Sequence, residues 1–250
     1  MKSIIVSLYV WIFAVITIII IFPVYLTIWL LTVFFDKKLI IVHFITSLWA
    51  ALYTWINPWW KITIENREKI KKGKTYIIIS NHQSMLDILV LFRLFVHFRW
   101  VSKTEIFKTP VVGWIMTLNN YIRVKRGDKK SIIKMIETSR KVIASGISIL
   151  IFPEGTRSED GNLRQFKDGA FNLAVDTKTD ILPVLINAVS GALAKKGIFK
   201  MNKLSIKVRI LDEIPYSDFE KSGVSEIRNR IHGLMSKQLQ KLKNSLKKDS

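Results

Sequence analysis

The stretch Ile78–Asp87, IISNHQSMLD, carries an apolar run directly into a polar turn that holds a histidine and an aspartate. The β-branched residues predict a strand, the polar residues its exit, and the apolar residues beyond Asp87 a helix. Ser84 and Asp87 stand at capping-box spacing, so they could simply begin that helix. The same spacing allows Asp87 to accept a hydrogen bond from Nδ1 of His82, which leaves Nε2 as a base. The stretch alone leaves both interpretations open.

From Lys61 onward, short β-branched runs alternate with longer helical patterns, and loops with glycine or proline separate them. The predicted strands are 61–65, 76–80, 121–124, 147–152, 181–187 and 204–211. The predicted helices are 87–96, 129–145, 168–177 and 224–246. This alternation predicts an α/β domain over residues 61–250.

The first apolar segment precedes this domain. Ile4–Phe35 contains no charged residue over 32 positions. As a helix it would measure about 48 Å, which exceeds the roughly 30 Å hydrocarbon core of a bilayer. Pro23 is expected to kink it.

A second apolar segment, residues 39–60, follows the turn Asp36–Lys38. Aromatic residues crowd its end, and clusters of tryptophan are typical of the headgroup level of a membrane; they are Trp49, Trp55, Trp59 and Trp60. We therefore predict that residues 1–60 form a two-helix membrane-embedded hairpin. The sequence leaves open whether it spans the bilayer or lies in one leaflet, and two buried helices of a soluble protein are the alternative.

Charge is distributed unevenly along the chain. The net charge is +20, from 39 Lys and Arg against 19 Asp and Glu, yet residues 1–60 contribute only +2 and residues 61–250 the other +18. An apolar front end on a basic body suits an anionic phospholipid surface. The absence of cysteine excludes disulfides, thiolate metal sites and cysteine nucleophiles, and four histidines make a multi-histidine metal site improbable.

A second constellation, Phe152–Ser158 or FPEGTRS, follows a predicted strand. It places a carboxylate, a hydroxyl and a guanidinium at a carboxyl edge, where α/β sheets generally hold ligands. Arg157 could bind a phosphate with two hydrogen bonds, and Glu154 could accept one from a ligand hydroxyl. The alternative is a surface turn whose Arg–Glu pair contributes little.

Several basic residues also fall near the ends of predicted strands. In so basic a chain any one of them is expected to face solvent, but their shared position would let them converge on one ligand. They are Lys103, Arg123, Lys125, Arg126, Arg164 and Lys167.

Asn81-His82-x4-Asp87, followed about 70 residues later by FPEGTRS, resembles the glycerolipid acyltransferase family. Within it, the chain is most similar to the 1-acylglycerol-3-phosphate (lysophosphatidic acid) acyltransferases of the PlsC type. The similarity covers residues 61–211 and includes two further blocks, Ile122–Arg126 and Leu182–Val184. We align Arg126 with the family arginine, although Arg123 stands where an apolar residue is usual.

The resemblance implies a fold and a set of site residues. The fold is a central mixed sheet flanked by helices, as in glycerol-3-phosphate acyltransferase, behind the membrane hairpin. His82 and Asp87 would be catalytic. The residues implied to bind the phosphate and glycerol of the substrate are Lys103, Arg126, Glu154, Gly155, Thr156, Arg157 and Lys167.

The implied reaction is acyl transfer from a thioester to the sn-2 hydroxyl of lysophosphatidic acid, which gives phosphatidic acid for phospholipid synthesis. The donor would be acyl-CoA or acyl-carrier protein, and neither a metal nor another cofactor is expected. Backbone amides in the turn of His82 or of Gly155 could stabilise the oxyanion. The catalytic domain would lie on the cytoplasmic face of the inner membrane.

Two alternatives remain at this point. The first keeps the fold and the catalytic pair but changes the acceptor to glycerol-3-phosphate, another lysophospholipid or a lyso-aminolipid. The second is a basic, membrane-anchored protein without catalysis that binds a ligand or nucleic acid. Scattered lysines without an aromatic-basic recognition module argue against nucleic acid as a partner.

Overall fold

The computed structural model describes residues 2–57, 59–158, 160–187 and 204–248. The helices are α1 (Lys2–Thr32), α2 (Ile40–Trp55), α3 (Asp87–Phe92), α4 (Val112–Leu118), α5 (Lys129–Ala144), α6 (Gly169–Thr177) and α7 (Val224–Lys248). The strands are β1 (Trp60–Glu65), β2 (Ile77–Ser80), β3 (Phe98–Lys103), β4 (Ile122–Val124), β5 (Ser148–Ile151), β6 (Ile181–Asn187) and β7 (Leu204–Ile210).

The strands form one seven-stranded sheet in the order β1-β7-β6-β2-β5-β3-β4. Every neighbouring pair is parallel except β6 and β7, which are antiparallel. The sheet is therefore mixed, as predicted. Ile78 on β2 lies opposite Leu150 on one side and Leu182 on the other, so β2 occupies the centre.

Helices cover both faces of the sheet, because the side chains of each strand alternate between two cores. Ile78 contributes to the core beneath α2, α3 and α4, together with residues such as Val90 and Met116. Ile77 and Ile79 contribute to the core beneath α6 and α7, together with residues such as Phe171. All four residues of β2 are buried, which accounts for the unbroken apolar run in the sequence.

The strand directions decide where the site lies. β2, β3, β4, β5 and β6 run parallel to one another, so their carboxyl ends meet at one edge of the sheet. The loops that begin at Asn81, Thr104, Lys125 and Phe152 all leave the sheet there. The basic residues near these strand ends are therefore brought to one edge, while their convergence on one ligand stays a prediction.

The N-terminal apolar segments form two helices, as predicted. α1 runs through Pro23 without interruption, and its part Leu8–Thr32 has a mean hydropathy of 2.6. Among the described residues it is the one helix long and apolar enough to cross a membrane. The two helices contact each other where Thr17 Oγ1 lies 2.6 Å from the hydroxyl of Tyr53.

The second helix packs against the α/β domain more extensively than the sequence suggested. α2 lies on α3 and also contacts β1. Trp49 and Trp60 are only 6% and 8% exposed, so the interpretation of all four tryptophans as headgroup residues is wrong for these two. Their indole rings fill the protein interior, a use of aromatic residues that composition cannot distinguish from membrane contact.

Apart from shifts at the ends of other elements and the shorter α2, three elements depart from the prediction. β3 and α4 were not predicted at all, and α3 ends at Phe92 rather than at Val96. The backbone reverses at Phe95, whose φ is 49°, and the chain then enters β3 at Phe98.

Candidate active site

His82 and Asp87 form the predicted pair. Nδ1 of His82 lies 2.8 Å from Oδ2 of Asp87, and the side chains are 18% and 0% exposed. Asp87 is the first residue of α3 and His82 lies in the loop 81–86 that follows β2, so this one short loop brings the two side chains together. The carboxylate fixes the imidazole through Nδ1 and leaves Nε2 to act on a ligand.

The same carboxylate also holds the loop that leads into α3. Oδ2 of Asp87 accepts hydrogen bonds from the backbone amides of Gln83, at 2.6 Å, and Ser84, at 2.9 Å. Ser84 Oγ accepts from the amide of Leu86 at 3.2 Å. The N-cap of α3 is Leu86, which has no side-chain capping bond, so Ser84 and Asp87 fix the loop before the helix rather than capping it.

Phe152 adds a second constraint on the imidazole ring. The rings of His82 and Phe152 stack with centroids 4.2 Å apart and an interplanar angle of 17°. Sequence reasoning did not select Phe152 as a site residue. The available signal was its position between the end of β5 and the Pro-Glu-Gly turn, at the same edge as His82.

Glu154 joins the two motif loops. Its Oε1 accepts from the amide of His82 at 2.7 Å, and its Oε2 accepts from the amide of Arg164 at 2.8 Å. Burial raises the pKa of Glu154 to about 7, despite the two amides that stabilise its charged form. Glu154 is only 3% exposed, and both of its carboxylate oxygens accept from backbone amides, so it holds the two loops together. A contact between Glu154 and a ligand hydroxyl stays a prediction.

Several backbone amides that could have stabilised an oxyanion already have acceptors. The amide of His82 donates to Glu154, and those of Gln83 and Ser84 donate to Asp87. The amide of Gly155 donates to the carbonyl of Phe152 at 3.0 Å. An oxyanion donor from these two turns would therefore have to be a different amide.

The predicted substrate-binding residues lie along the same edge of the sheet. Lys103 ends β3 opposite Val124 of β4, and Arg126 follows two residues later. Exposed side chains at this edge include those of Lys103, Lys125, Arg126, Thr156, Arg157, Arg164 and Lys167.

Lys167 is fixed to the Phe152–Ser158 loop. Its amide donates to the carbonyl of Pro153 at 2.9 Å, and its side chain covers Gly155. Gly155 has a φ of 68°, and a Cβ there would lie 3.1 Å from Nζ of Lys167. The left-handed backbone conformation is what favours glycine here, since the flexible end of the lysine side chain could move to make room for a Cβ.

Arg123 lies elsewhere. Its guanidinium sits 4.5 Å from the centroid of the Phe107 ring and donates to Thr117 Oγ1 at 2.8 Å. This places it beside α4, which favours Arg126 as the arginine of the second block. Within the described residues, no three His, Asp or Glu side chains form a group that could hold a metal ion.

A histidine held by a buried carboxylate at the carboxyl edge of an α/β sheet is typical of enzymes that activate a hydroxyl by general-base catalysis. A sequence profile described as acyltransferase matches residues 61–187. The chain belongs to the acyltransferase family.

Curated relatives share this assignment. A 1-acyl-sn-glycerol-3-phosphate acyltransferase of Chlamydomonas reinhardtii is 38% identical over 165 residues, which cover 65% of this chain and 49% of the relative. A chloroplastic one of Arabidopsis thaliana is 40% identical over 145 residues, covering 58% of this chain and 40% of the relative. One of Borreliella burgdorferi is 32% identical over 171 residues, covering 67% and 68%. The chain spans about half the length of the plant and algal relatives.

The fold also matches a solved structure. The crystal structure of the 1-acyl-sn-glycerophosphate acyltransferase PlsC from Thermotoga maritima superposes with a TM-score of 0.78 at 22% identity. The match covers 97% of this chain and 96% of the other. It therefore includes the two N-terminal helices as well as the sheet.

Proposed function

We propose that the protein transfers an acyl group from a thioester to the sn-2 hydroxyl of lysophosphatidic acid and so forms phosphatidic acid. The observation that carries this proposal is the 2.8 Å contact between His82 Nδ1 and the fully buried Asp87. The names of the relatives supply the substrate, and the family supplies the reaction class.

The mechanism follows from the orientation of the imidazole. Nε2 of His82 removes the proton of the acceptor hydroxyl while the hydroxyl oxygen attacks the carbonyl carbon of the thioester. Collapse of the tetrahedral intermediate breaks the C–S bond and expels the thiolate. The thiolate is then protonated by the imidazolium of His82, which returns to its neutral form. Asp87 stabilises the transient imidazolium, and general-base catalysis of this kind supplies about 10²–10⁴-fold in rate.

Besides the contact of its hydroxyl with His82, the acceptor is bound through its phosphate by basic side chains at the carboxyl edge of the sheet. Lys103, Arg126 and Arg157 bind the phosphate in this proposal, with Lys167 beside them. Glu154 and Thr156 contribute toward the glycerol part. Guanidinium groups suit this task because they match phosphate oxygens with paired hydrogen bonds.

The membrane supplies the acceptor. The long apolar helix indicates membrane association, and its exposed side chains suit acyl chains rather than water. We place the catalytic domain on the cytoplasmic face of the inner membrane, where a water-soluble donor, acyl-CoA or acyl-carrier protein, can reach it. The basic surface suits anionic lipids.

The test is acyl transfer to lysophosphatidic acid in lipid vesicles, with the intact chain and His82→Ala compared at equal folded concentration. Phosphatidic acid from the first alone supports both the reaction and the base. Equal product from both would refute the role of His82. Product from neither would refute this acceptor, and glycerol-3-phosphate, other lysophospholipids and lyso-aminolipids would then be assayed.

A further inference from the structure

The tip of α4 carries an exposed apolar patch on the α/β domain itself. Val112 and Trp114 are 46% and 53% exposed. The ring of Trp114 lies 5.6 Å from that of Phe22 on α1, centroid to centroid. The patch is therefore continuous with the apolar surface of α1, whose exposed side chains include Val15, Ile16, Ile19, Ile20 and Val24.

The backbone fixes this tip in a strained conformation. Val111 has φ 62° and ψ −58°, and the amide of Val112 donates to the carbonyl of Pro110 at 2.7 Å. This is the rare, strained form of the γ-turn, and its centre is a β-branched residue. Such conformations persist where the surroundings impose them, and they concentrate at functional surfaces.

The neighbouring turn holds α4 from beneath. Gly113 packs against the turn Ile106–Lys108 so closely that a Cβ would lie 2.1 Å from the carbonyl oxygen of Phe107. The amide of Gly113 donates to the carbonyl of Thr109 at 2.8 Å. The tip is thus held rigidly with its two large apolar side chains outward.

Basic residues flank the patch. Lys108 and Arg123 are exposed, and Arg123 is fixed beside α4 by Phe107 and Thr117. Between residues 104 and 124, Glu105 is the one acidic residue, so the net charge around the patch is positive. Apolar side chains flanked by cations suit an interface at which acyl chains lie below anionic headgroups.

We propose that the α4 tip, Val111–Trp114, inserts into an anionic lipid bilayer next to α1, with Lys108 and Arg123 on the headgroups. This inference rests on the membrane association in the proposed function. It gives the α/β domain a contact of its own with the bilayer. β4 follows α4 directly and leads to Arg126, so the contact holds the carboxyl edge near the lipid surface.

The absence of cysteine in the chain makes a site-specific test direct. Trp114→Cys carries an environment-sensitive fluorophore, and the labelled protein is bound to vesicles of phosphatidylglycerol and phosphatidylcholine. We expect a blue-shifted emission that is quenched by spin-labelled acyl chains and protected from aqueous iodide. Ile19→Cys on α1, 66% exposed, reports on the anchor, and Leu234→Cys on the opposite face of the sheet, 38% exposed, serves as the aqueous control.

The outcomes separate the two proposals. A membrane signal at position 19 with an aqueous signal at 114 would overturn the α4 contact and leave the anchor intact. Aqueous signals at both would overturn membrane association itself. As a functional companion, Trp114→Ser should lose activity on vesicles while retaining it on detergent-dispersed acceptor; equal activity in both systems would contradict insertion.

Discussion

At the residue scale, one carboxylate oxygen of Asp87 accepts three hydrogen bonds. Oδ2 accepts from His82 Nδ1 and from the amides of Gln83 and Ser84. A neutral amide can still accept from these groups, but it cannot stabilise a charged imidazole. The geometry of the loop and the charge of the site are thus separable by one isosteric substitution.

Asp87→Asn is expected to lower kcat by at least about 10²-fold with a modest change in KM, because the imidazolium loses its counter-charge. Steady-state kinetics with lysophosphatidic acid measure this effect. Asp212→Asn is the matched control, since the side chain of Asp212 is 87% exposed and lies outside the carboxyl edge. A near wild-type kcat for Asp87→Asn would remove the aspartate from the mechanism.

Glu154 should make stability depend on pH. Burial raises its pKa from 4.5 to about 7, so the folded chain holds the proton more tightly than the unfolded chain does. Its contribution to stability is complete below pH 4.5 and is lost as the pH rises through 7, to the extent of about 3 kcal/mol. We expect the Tm of the wild type to fall relative to that of Glu154→Gln between pH 5 and pH 8. Parallel Tm curves would contradict this shift.

The two carboxylates differ in how far the sequence could predict them. Asp87 lies five residues from His82, so local spacing allowed their contact, although the stretch alone left a simple helix cap as the alternative. Glu154 is 72 residues from the amide that it accepts from, and that contact depends on β2 and β5 being neighbours. Which strands pair in the sheet depends on the tertiary fold, so a local sequence pattern could not predict this contact.

At the element scale, β3 illustrates why one strand was missed. Its sequence FRWVSK places Arg99 at a position that is 2% exposed. Buried arginine is rare, so the pattern did not resemble an interior strand. Nη2 of Arg99 donates to the carbonyl of Lys38 at 2.6 Å, in the turn between α1 and α2. The strand is stabilised by the N-terminal helices, and local propensity could not reveal this.

α4 was missed because it is seven residues long and contains a glycine near its start. Gly113→Ala is expected to destabilise the fold by about 1–3 kcal/mol, because the new Cβ would overlap the backbone oxygen of Phe107. Gly233→Ala on α7, with no atom within 4 Å of its Cβ, should instead stabilise the fold by about 0.5–1 kcal/mol. Thermal unfolding of both variants measures the difference, and equal Tm values would contradict the close approach.

At the scale of the whole molecule, the N-terminal helices form part of the folded domain. Nδ2 of Asn119, at the end of α4, donates to the hydroxyls of Tyr25 on α1 and Thr46 on α2 at 2.8 and 2.9 Å. The hydroxyl of Tyr121 lies 3.1 Å from Nδ1 of His43 on α2. The division at residue 60, which the change in charge suggested, stays a prediction, and residues on its two sides are joined by these buried hydrogen bonds.

Deletion of residues 1–60 distinguishes an anchor from a structural part of the domain. A simple anchor would be dispensable once the acceptor is dispersed in detergent. We expect the truncated chain to lose acyl transfer in detergent as well as on vesicles. Removal of α2 exposes the core around α3, and it leaves the buried side chains of Asn119 and Tyr121 without their hydrogen-bond partners Thr46 and His43.

The matched variant keeps α2 and changes only the outer surface of α1. Ile19→Asn combined with Ile20→Asn alters two side chains that are 66% and 61% exposed. This double variant should bind vesicles more weakly yet keep its activity in detergent, because its buried contacts are intact. If the truncated chain instead matched the double variant, with full activity in detergent, the polar contacts of α2 would be dispensable and the hairpin would act as an anchor alone.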